Sequence, residues 1–203
     1  MAKYNPRIHQ TTPYTALDRY PDTFSAAASL LGEDADLRLL SFGCSTGEEV
    51  LTLRGYFPRA TIIGADLDRA RLRKCREKVN DPKIKFIVSN NGRIKALGPY
   101  DAVFAMAVLQ RTPHKVHDDG IRDISRIYSF SKFNEQLSKF DSSVRVGGLI
   151  VIQNTQYRFI DSDIANKYEV CGYTEQPSLP FFDRNSVLIP QERYRETVFR
   201  KIR

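Results

Sequence analysis

The sequence predicts an α/β fold: a doubly wound sheet, mostly parallel with an antiparallel last strand, with helices on both faces. Two observations support this prediction. Between Leu37 and Asn154, short apolar runs of strand length alternate with amphipathic segments of helix length. The runs are apolar almost throughout, which is typical of parallel strands that are buried on both faces. The 203 residues have the length of one domain.

The predicted elements follow one another in a regular order. A first helix is expected to have Pro21 just before an N-cap at Asp22 and to stop at Gly32. Strands are predicted at residues 37–42, 61–65, 84–88, 100–109 and 148–152, with a last strand at 194–199. A Gly147-Gly148 turn should precede the fifth strand. Further helices are predicted at about 48–55, after the second strand, and between 123 and 141.

The composition favours a soluble protein without a metal centre. No stretch approaches the roughly 18 apolar residues of a membrane span, and the N-terminal residues lack the apolar run of a secretory signal. We therefore expect a cytoplasmic protein with no membrane partner. The three cysteines, Cys44, Cys75 and Cys171, lie far apart in the sequence, so neither a disulfide framework nor a zinc ribbon is expected.

The net charge of +7 is concentrated in one stretch of the chain. Residues 69–95 contain ten Lys and Arg against two acidic residues, Glu77 and Asp81. Such a stretch can bind nucleic acid, but it is more often the solvated face of a surface helix. Nucleic acid is therefore kept as an alternative partner and is not the favoured one.

The strongest functional signal is the run from Leu40 to Glu49 (LSFGCSTGEE), in which a strand leads through small residues into a helix. Small residues let backbone N–H groups approach a ligand, and the helix N-terminus favours an anionic group there. A dinucleotide site needs the spacing G-x-G-x-x-G. Here Gly43 and Gly47 are four residues apart with Ser45 between them, which favours a ligand without a pyrophosphate. The alternative is a plain strand–helix turn.

Polar residues also follow the second and third strands. Asp66, about 20 residues after the turn, can accept hydrogen bonds from both ribose hydroxyls of a nucleoside. The alternative role for an acid here is a helix N-cap, which Asp68 fills well, so Asp66 is the better candidate for the ribose. The amides of Asn90 and Asn91 suit the edge of an adenine, although a turn explains them too. Three ligand-type signals thus stand at three consecutive strand ends.

Residues 37–154 resemble the class I S-adenosylmethionine-dependent methyltransferases, which have a Rossmann-like fold. The resemblance rests on five segments in order: the glycine turn, Ile63-Gly64-Ala65-Asp66, Phe86 to Asn90, Tyr100 to Phe104, and Gly147 to Ile152. The run FGCSTGEE is similar to that of the chemotaxis receptor methyltransferases. It shares with them Ser45 in place of the middle glycine, and Ser41 where most of the family has an acid. The resemblance implies S-adenosyl-L-methionine as the cofactor.

The resemblance also implies which residues bind the cofactor. Those at its methionine end are Gly43, Cys44, Ser45 and Gly47. Asp66 would hold the ribose, Leu67, Asn90 and Asn91 would lie at the adenine, and Ala105 and Met106 would flank the sulfonium. Glu48 and Glu49 stay ambiguous, because acids in a first helical turn also stabilise the helix dipole.

Three residues are candidates for a general base. His114 and His117 follow the fourth strand and Tyr157 follows the fifth, and histidine can remove a proton near neutral pH. The alternative is that the histidines are ordinary surface residues. After Ala105 the chain lacks the Asn/Asp-Pro-Pro-aromatic signature of many amino-group methyltransferases, so an exocyclic base amine is a less expected acceptor.

The sequence therefore predicts methyl transfer to an oxygen or nitrogen of a small molecule or a protein side chain. Residues 1–36 are expected to form a lid segment and a helix, and residues 37–203 the cofactor-binding domain. The aromatic segment from Tyr4 to Phe24 would supply the lid, with a frayed tail as the alternative for residues 1–20. Two other functions stay open, a methyltransferase-like module that binds RNA without catalysis and, less favoured, a nicotinamide-dependent oxidoreductase. The oligomeric state is not predicted.

Overall fold

The computed structural model describes residues 8–32, 35–176, 179–190 and 193–203. The strands of this described chain are β1 Arg38–Phe42, β2 Thr61–Asp66, β3 Ile84–Val88, β4 Tyr100–Met106, β5 Val144–Gln153, β6 Tyr168–Tyr173, β7 Phe181–Phe182, β8 Leu188–Ile189 and β9 Glu196–Lys201. The helices are α1 Pro21–Leu31, α2 Glu48–Tyr56, α3 Arg69–Lys78, α4 Asn91–Leu97, α5 Pro113–Asp118 and α6 Phe130–Asp141. Short 3₁₀ helices lie at Phe159–Asp161 and Ala165–Lys167.

Seven of the strands form one sheet in the order β3-β2-β1-β4-β5-β9-β6. β1 pairs in parallel with β2 and β4, and parallel pairing continues to β3 on one side and to β5 on the other. β9 runs antiparallel between β5 and β6. The mostly parallel sheet with an antiparallel last strand is therefore confirmed. β7 and β8 form a separate antiparallel pair.

Helices cover both faces of this sheet, because successive residues of a strand point to opposite sides. Leu39 of β1 belongs to a buried core with residues of α1, α2 and α3. Its neighbour Leu40 belongs to a second core with residues of α4, α5 and α6. Phe104 and Val103 of β4 divide between the two cores in the same way. The predicted double winding is thus confirmed.

Some boundaries differ from the predictions. Pro21 is inside α1 with Tyr20 as the N-cap, so Asp22 lies in the first turn and the N-cap prediction was wrong. Proline suits the start of a helix because its missing N–H would be unpaired there in any case. Gly32 ends α1 with φ +84°, as expected. β5 continues through Gly147-Gly148, where the expected turn is a bulge in the pairing with β4.

Other elements were not predicted. They are α4, α5, β6 and the β7–β8 pair, all of them short or weakly patterned. The helix expected between 123 and 141 is α6, and the expected last strand is β9, displaced by two residues. No helix within the described ranges is long and apolar enough to cross a membrane.

Candidate functional site

A cavity of about 410 Å³ lies beyond the C-terminal ends of β1, β2 and β4. Gly43 and Ser45 line it after β1, Asp66 and Leu67 line it at the end of β2, and Met106 lines it at the end of β4. The order of the strands reverses between β1 and β4. Open parallel sheets bind ligands at such a switch point, and the volume is in the roughly 300–1,000 Å³ range of small-molecule sites.

The glycine turn after β1 is held tightly against β2. Gly43 has φ +81° and its N–H donates to the carbonyl oxygen of Ala65 at 2.7 Å. A Cβ at Gly43 would lie 2.7 Å from Cγ2 of Val108, so no larger residue fits there without a shift. Gly47 caps α2 in the left-handed region with φ +96°. Backbone conformation and close packing therefore both require glycine at Gly43.

Asp66 ties this turn to the end of β2. Its Oδ2 accepts a hydrogen bond from the Ser45 N–H at 2.9 Å, and its Oδ1 accepts one from the Asp68 N–H at 2.8 Å. The side chain is largely buried but still lines the cavity. A carboxylate has about four lone-pair sites, so Asp66 can accept two further hydrogen bonds from a ligand.

Asp68, two residues further on, has the different role that the sequence indicated for it. Its Oδ1 accepts hydrogen bonds from the N–H groups of Ala70 and Arg71 at 2.8 and 3.1 Å. The residue is thus the N-cap of α3, and the backbone hydrogen bond from Arg71 helps to lower the pKa of its carboxyl. Both acids line the cavity, but the cap and Arg71, 3.4 Å away, engage both oxygens of Asp68, so Asp66 is the better candidate to bind a ligand.

Glu49 also lines the cavity, and the sequence had left its role open. The hydroxyl of Ser41 donates to Oε1 of Glu49 at 2.7 Å. Burial raises the pKa of Glu49 to about 8, while the hydrogen bond from Ser41 and the charge of Arg19 act in the opposite direction. Glu49 therefore places an acidic group beside Ser41. In most members of the family that the sequence resembles, an acidic residue stands at the position of Ser41 itself.

The segment of residues 8–20 covers the cavity. The carbonyl oxygen of Pro13 accepts a hydrogen bond from the Ser45 hydroxyl at 3.0 Å, and the Asp18 N–H donates to Oγ1 of Thr52 at 2.8 Å. Arg19 lines the cavity, with its guanidinium 4.7 and 5.1 Å from the ring centroids of Tyr14 and Tyr20. Tyr14 and Tyr20 of the segment expected to form an aromatic lid line the cavity, while Tyr4 lies outside the described residues.

Half of the predicted cofactor residues do not line the cavity, namely Cys44, Gly47, Asn90, Asn91 and Ala105. Cys44 and Ala105 are buried in the core, and a Cβ at Gly47 would face Cys75 and Phe86. Asn90 is the N-cap of α4, where its Oδ1 accepts from the Arg93 N–H at 3.2 Å. After β3, the residue that lines the cavity is Ser89, and not Asn90 or Asn91. The position of a residue after a strand predicts that it lies near the cavity, but it does not predict whether its side chain points into the cavity.

The three proposed bases lie away from the cavity lining. His114 and His117 are exposed on α5, and Nδ1 of His117 is 3.2 Å from Oδ1 of Asp118. Tyr157 is fully buried, and its hydroxyl donates to the carbonyl oxygen of Tyr128. Burial raises the pKa of Tyr157, which makes it a poor base. In the described part of the chain, no group of three or more His, Cys, Asp or Glu is arranged to hold a metal ion.

Residues 39–129 match a family model described as a methyltransferase domain. The match spans the glycine turn, Asp66 and the end of β4, which are the parts that build the cavity. The matched segment is 91 of the 203 residues, somewhat less than half of the chain, and this part of the chain is therefore similar to a methyltransferase domain.

Two curated relatives are similar over part of the chain. A trans-aconitate 2-methyltransferase of Deinococcus radiodurans is 32% identical over 100 residues, which cover 47% of this chain and 37% of that protein. A protein of the same name from Methylobacterium nodulans is 31% identical over 80 residues, which cover 39% of this chain and 30% of that protein. The chain thus spans only about a third of the length of these relatives.

A solved structure shows the same fold. It is the complex of S-adenosylmethionine with an amino pentose methyltransferase of calicheamicin biosynthesis from Micromonospora echinaspora. The TM-score is 0.50 with 20% identity, over 73% of this chain and 55% of that one. At this identity the similarity concerns the fold.

Proposed function

We propose that this chain transfers a methyl group from S-adenosylmethionine to an oxygen or nitrogen of a small molecule or a protein side chain, with a small molecule favoured. The observation that supports it most is the cavity at the strand switch point, with the Asp66 carboxylate and the glycine turn on its wall. When bound, S-adenosylmethionine supplies a methyl group activated by the sulfonium. The contribution of the protein is then mainly to position the reactants.

The residues of the cavity fit this cofactor. Asp66 has free lone pairs for the ribose hydroxyls, and Leu67 lies beside it for contact with the adenine. Glu49 and Arg19 both line the cavity, and the ionised form of Glu49 would suit the ammonium of a methionine group while Arg19 would suit its carboxylate. This use of Glu49 beside Ser41 would account for the similarity to the chemotaxis receptor enzymes, whose acceptor we do not transfer to this chain.

The other predicted cofactor residues are proposed to act from behind the cavity wall. Gly47, Cys44 and Ala105 would shape the backbone of the turn and of the end of β4. Asn90 and Asn91 would fix the start of α4 near the adenine. We likewise propose that residues 1–36 serve as lid and helix over the domain of residues 37–203, which the docking of residues 8–20 on the cavity supports.

The acceptor is proposed to be a small molecule for two reasons. Residues 8–16, 19 and 20 form part of the cavity wall, and the volume of about 410 Å³ is that of a small-molecule site. The two curated relatives are named for trans-aconitate, a small carboxylate. A carboxylate oxygen accepts a methyl group without prior loss of a proton, and His114, His117 and Tyr157 all lie away from the cavity lining. No step of the proposal therefore depends on these three residues.

Calorimetric titration of the protein with S-adenosylhomocysteine and with NAD tests the proposal. We expect binding of S-adenosylhomocysteine and none of NAD, because the glycine turn lacks the spacing that seats a pyrophosphate. Tight binding of NAD alone would favour the oxidoreductase alternative and contradict the proposal.

A further inference from the structure

Two cations lie behind the part of the cavity wall that Ile8 and His9 form. Arg111 follows the end of β4 by five residues, and Lys132 lies in the first turn of α6. Neither of them forms an ion pair with a carboxylate among the residues that the structure describes, and both are partly buried. Buried positive charges without an anionic partner are unfavourable, so this pair needs an explanation.

The two cations donate their hydrogen bonds to backbone carbonyl groups. Arg111 Nε donates to the carbonyl oxygen of His9 at 2.7 Å, and Arg111 Nη2 donates to that of Ile8. Lys132 Nζ donates to the same Ile8 oxygen at 2.6 Å. One neutral oxygen thus receives hydrogen bonds from two cations, which is the arrangement expected around a carboxylate oxygen.

The surroundings of the pair favour an anion as well. Desolvation and the charge of Arg111 lower the pKa of Lys132 to about 8. Desolvation and the charge of Lys132 also lower the pKa of His9, to about 3. A negative charge at this place would relieve both effects, because opposite charges favour the protonated form of a cation.

Unpaired polar atoms lie next to Arg111. Gln156 accepts from the Arg111 N–H at 2.7 Å, and its buried Nε2 has no hydrogen-bond partner among the described residues. Oε1 of Gln110 is likewise buried and has no partner there. Buried polar atoms are normally satisfied, so the two amides, one on the residue before Arg111 and one hydrogen-bonded to its backbone, leave a donor and an acceptor unused.

This pair is continuous with the main cavity. Ile8 and His9 are part of the cavity wall near Met106, Ala107 and Val108, which follow the end of β4. Displacement of the Ile8 carbonyl would therefore extend the cavity to Arg111 and Lys132. A ligand carboxylate would replace a neutral oxygen with an anionic one at the same donors.

We propose that Arg111 and Lys132 form the subsite for a carboxylate of the methyl acceptor, and that the Ile8 carbonyl oxygen occupies the place of a carboxylate oxygen in this structure. The inference rests on the proposed function, since it assumes an acceptor beside the methyl donor. The two cations would together hold one carboxylate, and we propose that a second carboxylate of the same molecule is methylated, as the trans-aconitate in the names of the two curated relatives suggests. The chemical class of the acceptor is thus a small polycarboxylate.

The test is calorimetric titration with trans-aconitate as a tricarboxylate probe, with and without S-adenosylhomocysteine. We expect binding to the wild type, a loss of about 10- to 100-fold in Lys132→Met and Arg111→Gln, and a smaller loss in Arg111→Lys. Lys95→Met is the matched control, because it removes one exposed positive charge elsewhere and should change nothing. Circular dichroism of each variant checks that it is folded.

Two further probes and one further measurement make the test specific. The neutral trimethyl ester of trans-aconitate should not bind, and inorganic phosphate should bind at least about tenfold more weakly. Equal binding of phosphate would overturn the assignment to carboxylate. Hydrogen exchange of residues 9–12 should become faster with trans-aconitate, and unchanged exchange would contradict the displacement of Ile8.

The outcomes separate this inference from the proposed function. Retained binding of S-adenosylhomocysteine with no binding of trans-aconitate, or with equal binding by Lys132→Met and Lys95→Met, would overturn the inference alone. Binding of trans-aconitate through Arg111 and Lys132 without any binding of S-adenosylhomocysteine would contradict the proposed function and leave an anion site.

Discussion

At the scale of single residues, the sequence locates the wall of the cavity but not the groups that come from distant parts of the chain. Gly43 and Asp66 follow strand ends, and the pattern of small and acidic residues there was sufficient to predict them. The role of Glu49 depends on a hydrogen bond from Ser41 and on burial, and Arg19 comes from the segment before the sheet. Neither contact leaves a signal in local sequence.

Glu49 should link cofactor binding to pH. Its pKa of about 8 means that it is mostly protonated at pH 7, whereas pairing with an ammonium requires the ionised form. The affinity for S-adenosylhomocysteine should therefore increase between pH 6 and 7.5, by up to about tenfold per pH unit. Binding at pH 7 should release close to one proton, measured by calorimetry in two buffers with different ionisation enthalpies. In Glu49→Gln both effects should be lost, and proton release by that variant would exclude Glu49 as the source.

At the scale of elements, strands with continuous apolar runs were predicted well, while short helices and irregular strands were missed. α5 has only six residues, and its histidines gave no helical periodicity. β5 contains a bulge at its two glycines, and the same glycine pair predicts a turn from the sequence alone. The edge strand β6 is held by contacts at its ends that sequence does not show, among them Asp141 at the end of α6.

Asp141 should stabilise the fold in a pH-dependent way. Its Oδ2 lies 2.7 Å from Nζ of Lys167 and its Oδ1 lies 2.9 Å from Nζ of Lys201, which joins α6 to the 3₁₀ helix before β6 and to β9. Burial opposes ionisation of Asp141, but the two lysines outweigh it and hold its pKa below the usual value. Because the folded pKa is lowered, the stabilisation is complete above the unfolded pKa of about 3.9 and is lost as the pH falls through the folded value.

The variant Asp141→Asn should therefore unfold more easily than the wild type at pH 7, by about 3 kcal/mol, because it leaves Lys201 buried without its partner. The difference should shrink below pH 4 and vanish at the lowest pH reached. Urea denaturation at several pH values measures it. Asp119→Asn, which breaks an exposed pair with Lys115, should leave the stability nearly unchanged, and a constant effect of Asp141→Asn at every pH would refute the electrostatic explanation.

At the scale of the whole molecule, the basic stretch of residues 69–95 lies at one edge of the sheet, on α3, β3 and α4. Part of its charge has partners: Arg71 lies 3.4 Å from Asp68, and Lys83 lies 3.4 Å from Asp36. Lysine on an edge strand, such as Lys85 of β3, also prevents pairing with other chains. The fold thus explains part of this charge without a nucleic-acid partner, which the composition alone left open.

RNA binding should accordingly be weak and should disappear at about 150 mM salt, since binding through phosphates alone has a steep salt dependence. The charge reversals Lys74→Glu and Lys78→Glu should leave the binding of S-adenosylhomocysteine intact, because both residues are exposed on α3. Arg71 is unsuitable for this test because it lines the cavity. Filter binding of a generic RNA measures the effect, and tight, sequence-selective binding at that salt would favour the RNA-binding alternative.

The most direct test of the account is calorimetric titration of S-adenosylhomocysteine into the wild type and Asp66→Ala. If Asp66 holds the ribose, the variant should lose about 1.5–3 kcal/mol of binding free energy, a rise in Kd of roughly 10- to 150-fold. Asp81→Ala is the matched control, because Asp81 accepts hydrogen bonds from Arg54 and from the Lys83 N–H away from the cavity, so its loss should lower stability while leaving Kd nearly unchanged. Equal Kd values for the wild type and a folded Asp66→Ala would contradict the assignment of this cavity as the cofactor site.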